Sequence, residues 1–178
     1  MEDVQGRYMF KVGDKVCYPN HGIGIIKEVK EYEISGEKMR FFTVLILDSK
    51  STVKVPASNA VAVGLRNLIT EQEARDVFAY LRGTDLVRYD DWKERFKQNS
   101  DLMRTGKITD MQTVLKNLHF VSLEKPLSFR EKRMYERALH LVSSEIAEVR
   151  KTAPNDVEGE ILGAISHAVN ALGVQVED

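Results

Sequence analysis

The sequence predicts a two-domain protein, β first and α second: a small curled β-sheet or barrel over residues 1–69, then a compact five-helix domain over residues 70–178. Three observations lead there. Short apolar stretches separated by turn residues fill residues 10–63, and from Thr70 the apolar period becomes helical, with helix-capping pairs recurring along the chain. Of the 178 residues, 43% are hydrophobic, enough to bury a core in one domain or two small ones.

The sheet opens with the short apolar segment KVCYP. After His21-Gly22, the stretch GIGIIKEVKEYEI places Ile23, Ile25 and Val29 in one phase and Tyr32 and Ile34 in the other, which predicts a bulge or sharp bend. Ser35-Gly36 supplies a hairpin turn, RFFTVLIL reads as a nearly continuous buried strand, and Asp48-Ser49-Lys50 turns the chain into STVKVP. There Val53 and Val55 share one face and Thr52 and Lys54 the other, the pattern of a half-buried strand. Several short strands with tight turns and a bend describe a curled sheet or barrel of SH3 or Tudor type.

The helices announce themselves by their ends. Thr70 with Glu73 has capping-box spacing ahead of ARDVFAYLR, and Gly83 stops that helix. A second helix runs from about Asp90 to Thr105 and is closed by Gly106; a third starts near Thr109 or Asp110 and carries Val114, Leu115 and Leu118. Pro126 breaks the chain, Ser128 with Glu131 caps a long helix to about Arg150, and Asn155 with Glu158 opens a last helix ending near Gly173. The boundary falls in GLRNLI, residues 64–69, which has no Pro/Gly/Ser-rich linker and so predicts closely tethered domains.

No apolar run approaches the roughly 20 residues that span a bilayer, and MEDVQGRYMF lacks a signal-peptide apolar region. The single cysteine, Cys17, cannot form an internal disulfide. A soluble, monomeric, cytoplasmic protein without a membrane partner is the expectation. The net charge of −1 hides a division along the chain: residues 92–137 carry 11 basic against 6 acidic side chains, whereas residues 138–178 carry 2 against 7. Positive charge concentrates in the segment that Trp92 opens.

Trp92 is the only tryptophan, and it lies among Arg88, Lys93, Arg95 and Lys97. A planar apolar group set among cations suits contact with both bases and phosphates. Trp92, Phe96, Asn99 and Met103 also follow helical spacing and could form a core stripe, in which case the chain would be an interaction adaptor that does not bind DNA. Spacing alone leaves both readings open.

Enzymatic readings find no support. Gly22-Ile23-Gly24 resembles the start of a dinucleotide fingerprint, but Lys27 stands where the third glycine is required and a strand follows; turn geometry explains the glycines. Cys17 and His21 flank a Pro-Asn turn with no partner for the histidine, and His119, His140 and His167 lack ligand spacing, so neither a cofactor nor a metal is expected. Tyr18, Tyr32, Phe41 and Phe42 could supply an aromatic cage for modified side chains, but Phe41 and Phe42 read as core.

Together, FKVGDKVCYPNHGIGII, TVKVPASNAVAVGLRNL, DWKERFKQN around Trp92, and PLSFREKRMYERA resemble the CarD/CdnL family of bacterial transcription regulators, in the family's order from about residue 10 to 150. The N-terminal motif is also similar to the RNA polymerase-interacting module of transcription-repair coupling factor. The resemblance implies a Tudor-like domain that docks on the β-subunit lobe of RNA polymerase by strand pairing, through the strand matched here by Thr52, Val53, Lys54, Val55 and Pro56. Lys54 matches a polymerase-contacting position; Tyr32 matches a second one that is arginine in some relatives. It further implies a helical domain that contacts promoter DNA largely without sequence preference and stabilises the open complex, with Trp92 as a minor-groove wedge at the upstream edge of the bubble. Lys132 matches a basic position linked to DNA binding. Arg95 and Lys97, three and five residues beyond the wedge, are placed to reach neighbouring phosphates, and charge and proximity add Arg88, Lys93 and Arg133.

Overall fold

The computed structural model describes residues 10–87 and 91–173. The chain divides between Leu68 and Ile69 into two compact units. Among the described residues, an antiparallel sheet comes first and five helices follow, so the predicted β-then-α class is borne out.

Among the described residues, the first unit has five strands, β1 (Lys15–Tyr18), β2 (Gly22–Ile34), β3 (Glu37–Ile46), β4 (Thr52–Pro56) and β5 (Arg66–Asn67), in the order β4-β3-β2-β1-β5. The start of β2 pairs with β1, while from Gly24 onward it pairs with β3. The register slips between Ile26 and Glu28, leaving Lys27 as an extra residue. Because side chains alternate along a strand, that extra residue puts Ile26 and Val29 on the same face, opposite Val44 and Phe42. The expected phase change therefore exists, but it falls at Lys27 rather than between Val29 and Tyr32, so Val29 shares a face with the buried Ile26 and not with the half-buried Ile23 and Ile25.

The expectation of a strand buried on both faces at RFFTVLIL is also corrected. Phe42, Val44 and Ile46 are buried, but Phe41, Thr43 and Leu45 between them are half-buried, because this single sheet covers its core with one face only. Phe10 meets the Phe42 ring edge-on at 5.6 Å, and Val16, Val55, Ala60 and Leu65 complete the core.

Gly24 has a packing reason rather than a turn reason. A Cβ there would lie 2.5 Å from Val44 Cγ1 and 3.2 Å from the Leu45 carbonyl oxygen, so β3 must shift to admit it. Gly24→Ala should destabilise the first unit by about 1–3 kcal/mol, read as a lower urea midpoint by circular dichroism. Cys17 is buried in β1, and the exposed His21 lies against the Tyr18 ring at 5.2 Å.

The second unit contains α1 (Glu71–Arg82), α2 (Trp92–Thr105), α3 (Ile108–Glu124), α4 (Phe129–Arg150) and α5 (Pro154–Ala171). Thr70 with Glu73 and Ser128 with Glu131 form complete capping boxes. Asp91 caps α2 by accepting from the Glu94 amide at 3.2 Å, and Gly106 ends it at φ 68°, the left-handed conformation that glycine adopts without a Cβ penalty. The opening of α5 differs from expectation: Ala153 is the cap residue and Pro154 starts the helix, where its fixed φ suits the first turn and its missing N–H has no partner to lose. Asn155 thus lies inside the helix. Leu115, Leu118, Ile146, Ile161 and Ile165 are among the buried side chains that α3, α4 and α5 bring to the core. Among the described residues, no helix is long and apolar enough to cross a membrane.

Lys116 is buried in α3 with no solvent exposure. Its Nζ donates to the carbonyls of Tyr80 at 2.9 Å and Gly83 at 2.7 Å, capping the C-terminal end of α1, where an ammonium complements the helix dipole. Desolvation lowers its pKa, and Asp85 opposes that shift.

Candidate functional site

Trp92 is the first residue of α2 and 57% exposed. The core-stripe reading of Trp92 is thereby corrected. The buried side chains of α2 are Arg95, Asn99 and Met103, with Phe96 only half-buried, so the inward face begins one turn beyond the tryptophan. The Lys93 ammonium lies 5.7 Å from the Trp92 ring centre, within reach of a cation–π contact.

Arg95 is corrected as well. It is 5% exposed, and its Nε and Nη2 donate at 2.9 and 2.7 Å to one oxygen of Glu131, itself 4% exposed. A guanidinium engaged that way does not project toward phosphates. It is a clamp. The other Glu131 oxygen accepts from the Ser128 backbone N–H at 3.1 Å and the Ser128 hydroxyl at 2.7 Å, so one carboxylate caps α4 and holds α2. Burial pulls the Glu131 pKa upward, but the hydrogen bonds from the Ser128 hydroxyl, Arg95 and the Ser128 amide, together with the Arg95 charge, hold it below the usual carboxylate range.

The clamp makes neighbours of the first turns of α2 and α4. Exposed side chains at these two helix starts include Trp92, Lys93 and Lys97 from α2 and Phe129, Lys132 and Arg133 from α4. Phe129, 74% exposed, was not singled out by sequence reasoning, although its signal was there: an aromatic between a cap residue and its capping glutamate, beside Arg130, Lys132 and Arg133. The Arg133 guanidinium lies 5.8 Å from the Phe129 ring centre, repeating the pairing of Lys93 with Trp92. Arg88, also expected here, lies outside the described residues.

Burial trims the basic segment. Arg95 and Lys116 are buried among its 11 cations and Glu131 among its 6 carboxylates, which leaves 9 against 5. The excess is modest, so any nucleic acid held here is held weakly and in a salt-dependent way.

In the sheet unit, β4 is an edge strand among the described residues, paired only with β3 there. Its residues Thr52 and Lys54 are exposed, Val55 is buried, and Val53 and Pro56 are half-buried. The Lys54 side chain crosses the outer face of β3: its Nζ donates to the Tyr32 hydroxyl at 3.2 Å and lies 5.0 Å from the Tyr32 ring centre. Tyr32 in turn meets Phe41 edge-on at 5.6 Å. Two residues 22 apart in sequence, each expected separately to contact a polymerase, thus form one cluster. The four aromatics considered for a cage do not converge, because Phe42 points into the core while Phe41 and Tyr32 lie on the opposite face. Among the described residues, no three His, Cys, Asp or Glu side chains are grouped to hold a metal ion.

Residues 10–69 match the CarD-like/TRCF RID domain, and residues 76–162 match the CarD C-terminal domain. The chain is 30% identical over 142 residues to YdeB of Bacillus subtilis (strain 168), named as a candidate transcription factor, with 80% of this chain and 93% of that protein covered. It is also similar to the solution NMR structure of the 72-residue N-terminal domain of Myxococcus xanthus CarD, at 30% identity and a TM-score of 0.30, covering 38% of this chain and 89% of that one. With both domains matched in order and a relative aligned along most of its length, the chain belongs to the CarD/CdnL family of transcription regulators.

Proposed function

We propose that this protein binds RNA polymerase through the first unit and stabilises the open promoter complex through the second, with residues 1–69 as the polymerase-interacting domain and 70–178 as the DNA-contacting domain. The observation that carries the reading is the exposure of Trp92 on a helix start that the buried Arg95–Glu131 pair ties to the start of α4, where Phe129, Lys132 and Arg133 are exposed as well. A side chain of that size left in water adds nothing to the core, whereas an apolar wedge can replace base stacking lost at the edge of melted DNA. Lys93, Lys97, Lys132 and Arg133 then meet phosphates, and Phe129 offers a second apolar contact.

The polymerase partner is supported by the match of the first unit to a CarD-like/TRCF RID domain and by the β4 edge, whose outer backbone groups can pair with an added strand of the β-subunit lobe. Docking raises the effective concentration of the helical unit at the bubble, so contacts too weak for free DNA suffice. The open state gains because the wedge fits unstacked DNA better than duplex, and only that difference in affinity shifts the equilibrium. Lys54→Glu should weaken binding of the full chain to purified polymerase by about tenfold, by reversing the charge at the strand edge, while thermal unfolding of the chain stays unchanged. Unaltered affinity would remove β4 from the interface.

A further inference from the structure

We propose that Tyr32 is a positioning residue for Lys54, and that the two side chains act on a partner as one unit. This rests on the reading of β4 as a docking edge.

A lysine on an edge strand ordinarily samples many rotamers in water, and immobilising such a chain on binding costs affinity. Lys54 is already directed. Its Nζ donates to the Tyr32 hydroxyl at 3.2 Å and lies 5.0 Å from the ring centre, so both the polar tip and the π-face of Tyr32 engage the ammonium. The ring is itself braced, since Phe41 meets it edge-on at 5.6 Å with 82° between planes. Phe41 stands opposite Pro56 on β4 and Thr43 opposite Lys54, so the brace, the ring and the ammonium occupy one face of three adjacent strands.

An ammonium has three donors, and the Tyr32 hydroxyl uses one of them. The other two stay available to an acceptor on an incoming strand, whose side chain opposite Lys54 would lie on the same face. An arginine in place of Tyr32 would repel Lys54 and reach a partner by itself. Tyrosine instead makes the pair interdependent, and the Lys30 ammonium, 5.7 Å from the same ring centre, stands as a second cation on this face without a hydroxyl bond to fix it.

Affinity for purified RNA polymerase is measured for the full-length chain and for Tyr32→Ala, Tyr32→Phe, Lys54→Ala and the Tyr32→Ala/Lys54→Ala double variant, with circular dichroism confirming the fold of each. Tyr32→Ala should weaken binding by about three- to tenfold, and Tyr32→Phe by less because it keeps the ring. The double variant should bind no worse than Lys54→Ala alone. In the free protein, the Lys54 Hε resonances should lose their ring-current shift in Tyr32→Ala.

Additive losses in the double variant would show that Tyr32 meets the partner independently and would overturn the proposal. So would Lys54 resonances indifferent to Tyr32→Ala, or full affinity of Tyr32→Ala beside a weakened Lys54→Ala. Full affinity of Lys54→Ala would instead strike at the docking edge itself, and the proposal would fall with it.

Discussion

Trp92→Ala should shorten the lifetime of a promoter open complex formed with this protein by about tenfold, to near the value without it, because one base–aromatic stack is worth roughly 1–3 kcal/mol. The fold should not notice. Trp92 is 57% exposed and stands outside the buried Arg95, Asn99 and Met103 stripe, so the substitution removes no core contact and should change stability by no more than about 0.5 kcal/mol. Affinity for polymerase should also hold, since the proposed docking strand belongs to the other unit. Open-complex decay after a competitor challenge, read beside a polymerase-binding curve, separates these effects. Undiminished stabilisation by Trp92→Ala would refute the wedge.

Arg95→Ala should have the opposite profile, with a large loss of stability in the helical unit. Glu131 is 4% exposed, and the guanidinium supplies two of the hydrogen bonds on its carboxylate, at 2.9 and 2.7 Å. Removing one partner of a buried pair leaves the other charge uncompensated and costs about 3–5 kcal/mol. Truncation also frees the start of α2 from the start of α4, so DNA contact should weaken through lost geometry rather than lost charge. The pH dependence carries the same signature. The Glu131 carboxyl is held below its ordinary range, so the stability it contributes is fully present above the unfolded-state value of about 4 and is lost as pH falls through the depressed folded-state value. Glu131→Gln should flatten that part of the acid limb in urea unfolding followed across pH. Native-like stability of Arg95→Ala would show that the pair is no clamp.

What the sequence disclosed was mostly local. The Thr70–Glu73 and Ser128–Glu131 boxes and the Gly106 stop each depend on residues within one turn of a helix end, and each forms as its spacing indicates. The alternation in STVKVP likewise marks a half-buried strand correctly, because period two along one strand needs no knowledge of its neighbours.

Non-local pairings were hidden. Arg95 follows Trp92 by three residues in a basic segment and reads as a surface cation, while the carboxylate that buries it lies 36 residues downstream. Lys116 looks like another surface charge until the Tyr80 and Gly83 carbonyls close around it. Local pattern announced a phase change in β2 but put it beyond Val29, whereas the register against β3 puts it at Lys27. The same holds for Tyr32 and Lys54, whose meeting requires both to flank β3 on its outer face.

The most direct test places a photoreactive phenylalanine analogue at position 92 and maps its crosslinks in complexes of promoter DNA and polymerase. Crosslinks should fall at the upstream edge of the bubble, appear only when polymerase is present, and largely disappear when Lys54→Glu is added to the same chain. Crosslinks of equal strength on DNA alone, or none within the open complex, would contradict a tryptophan delivered to melted DNA by the polymerase-bound sheet.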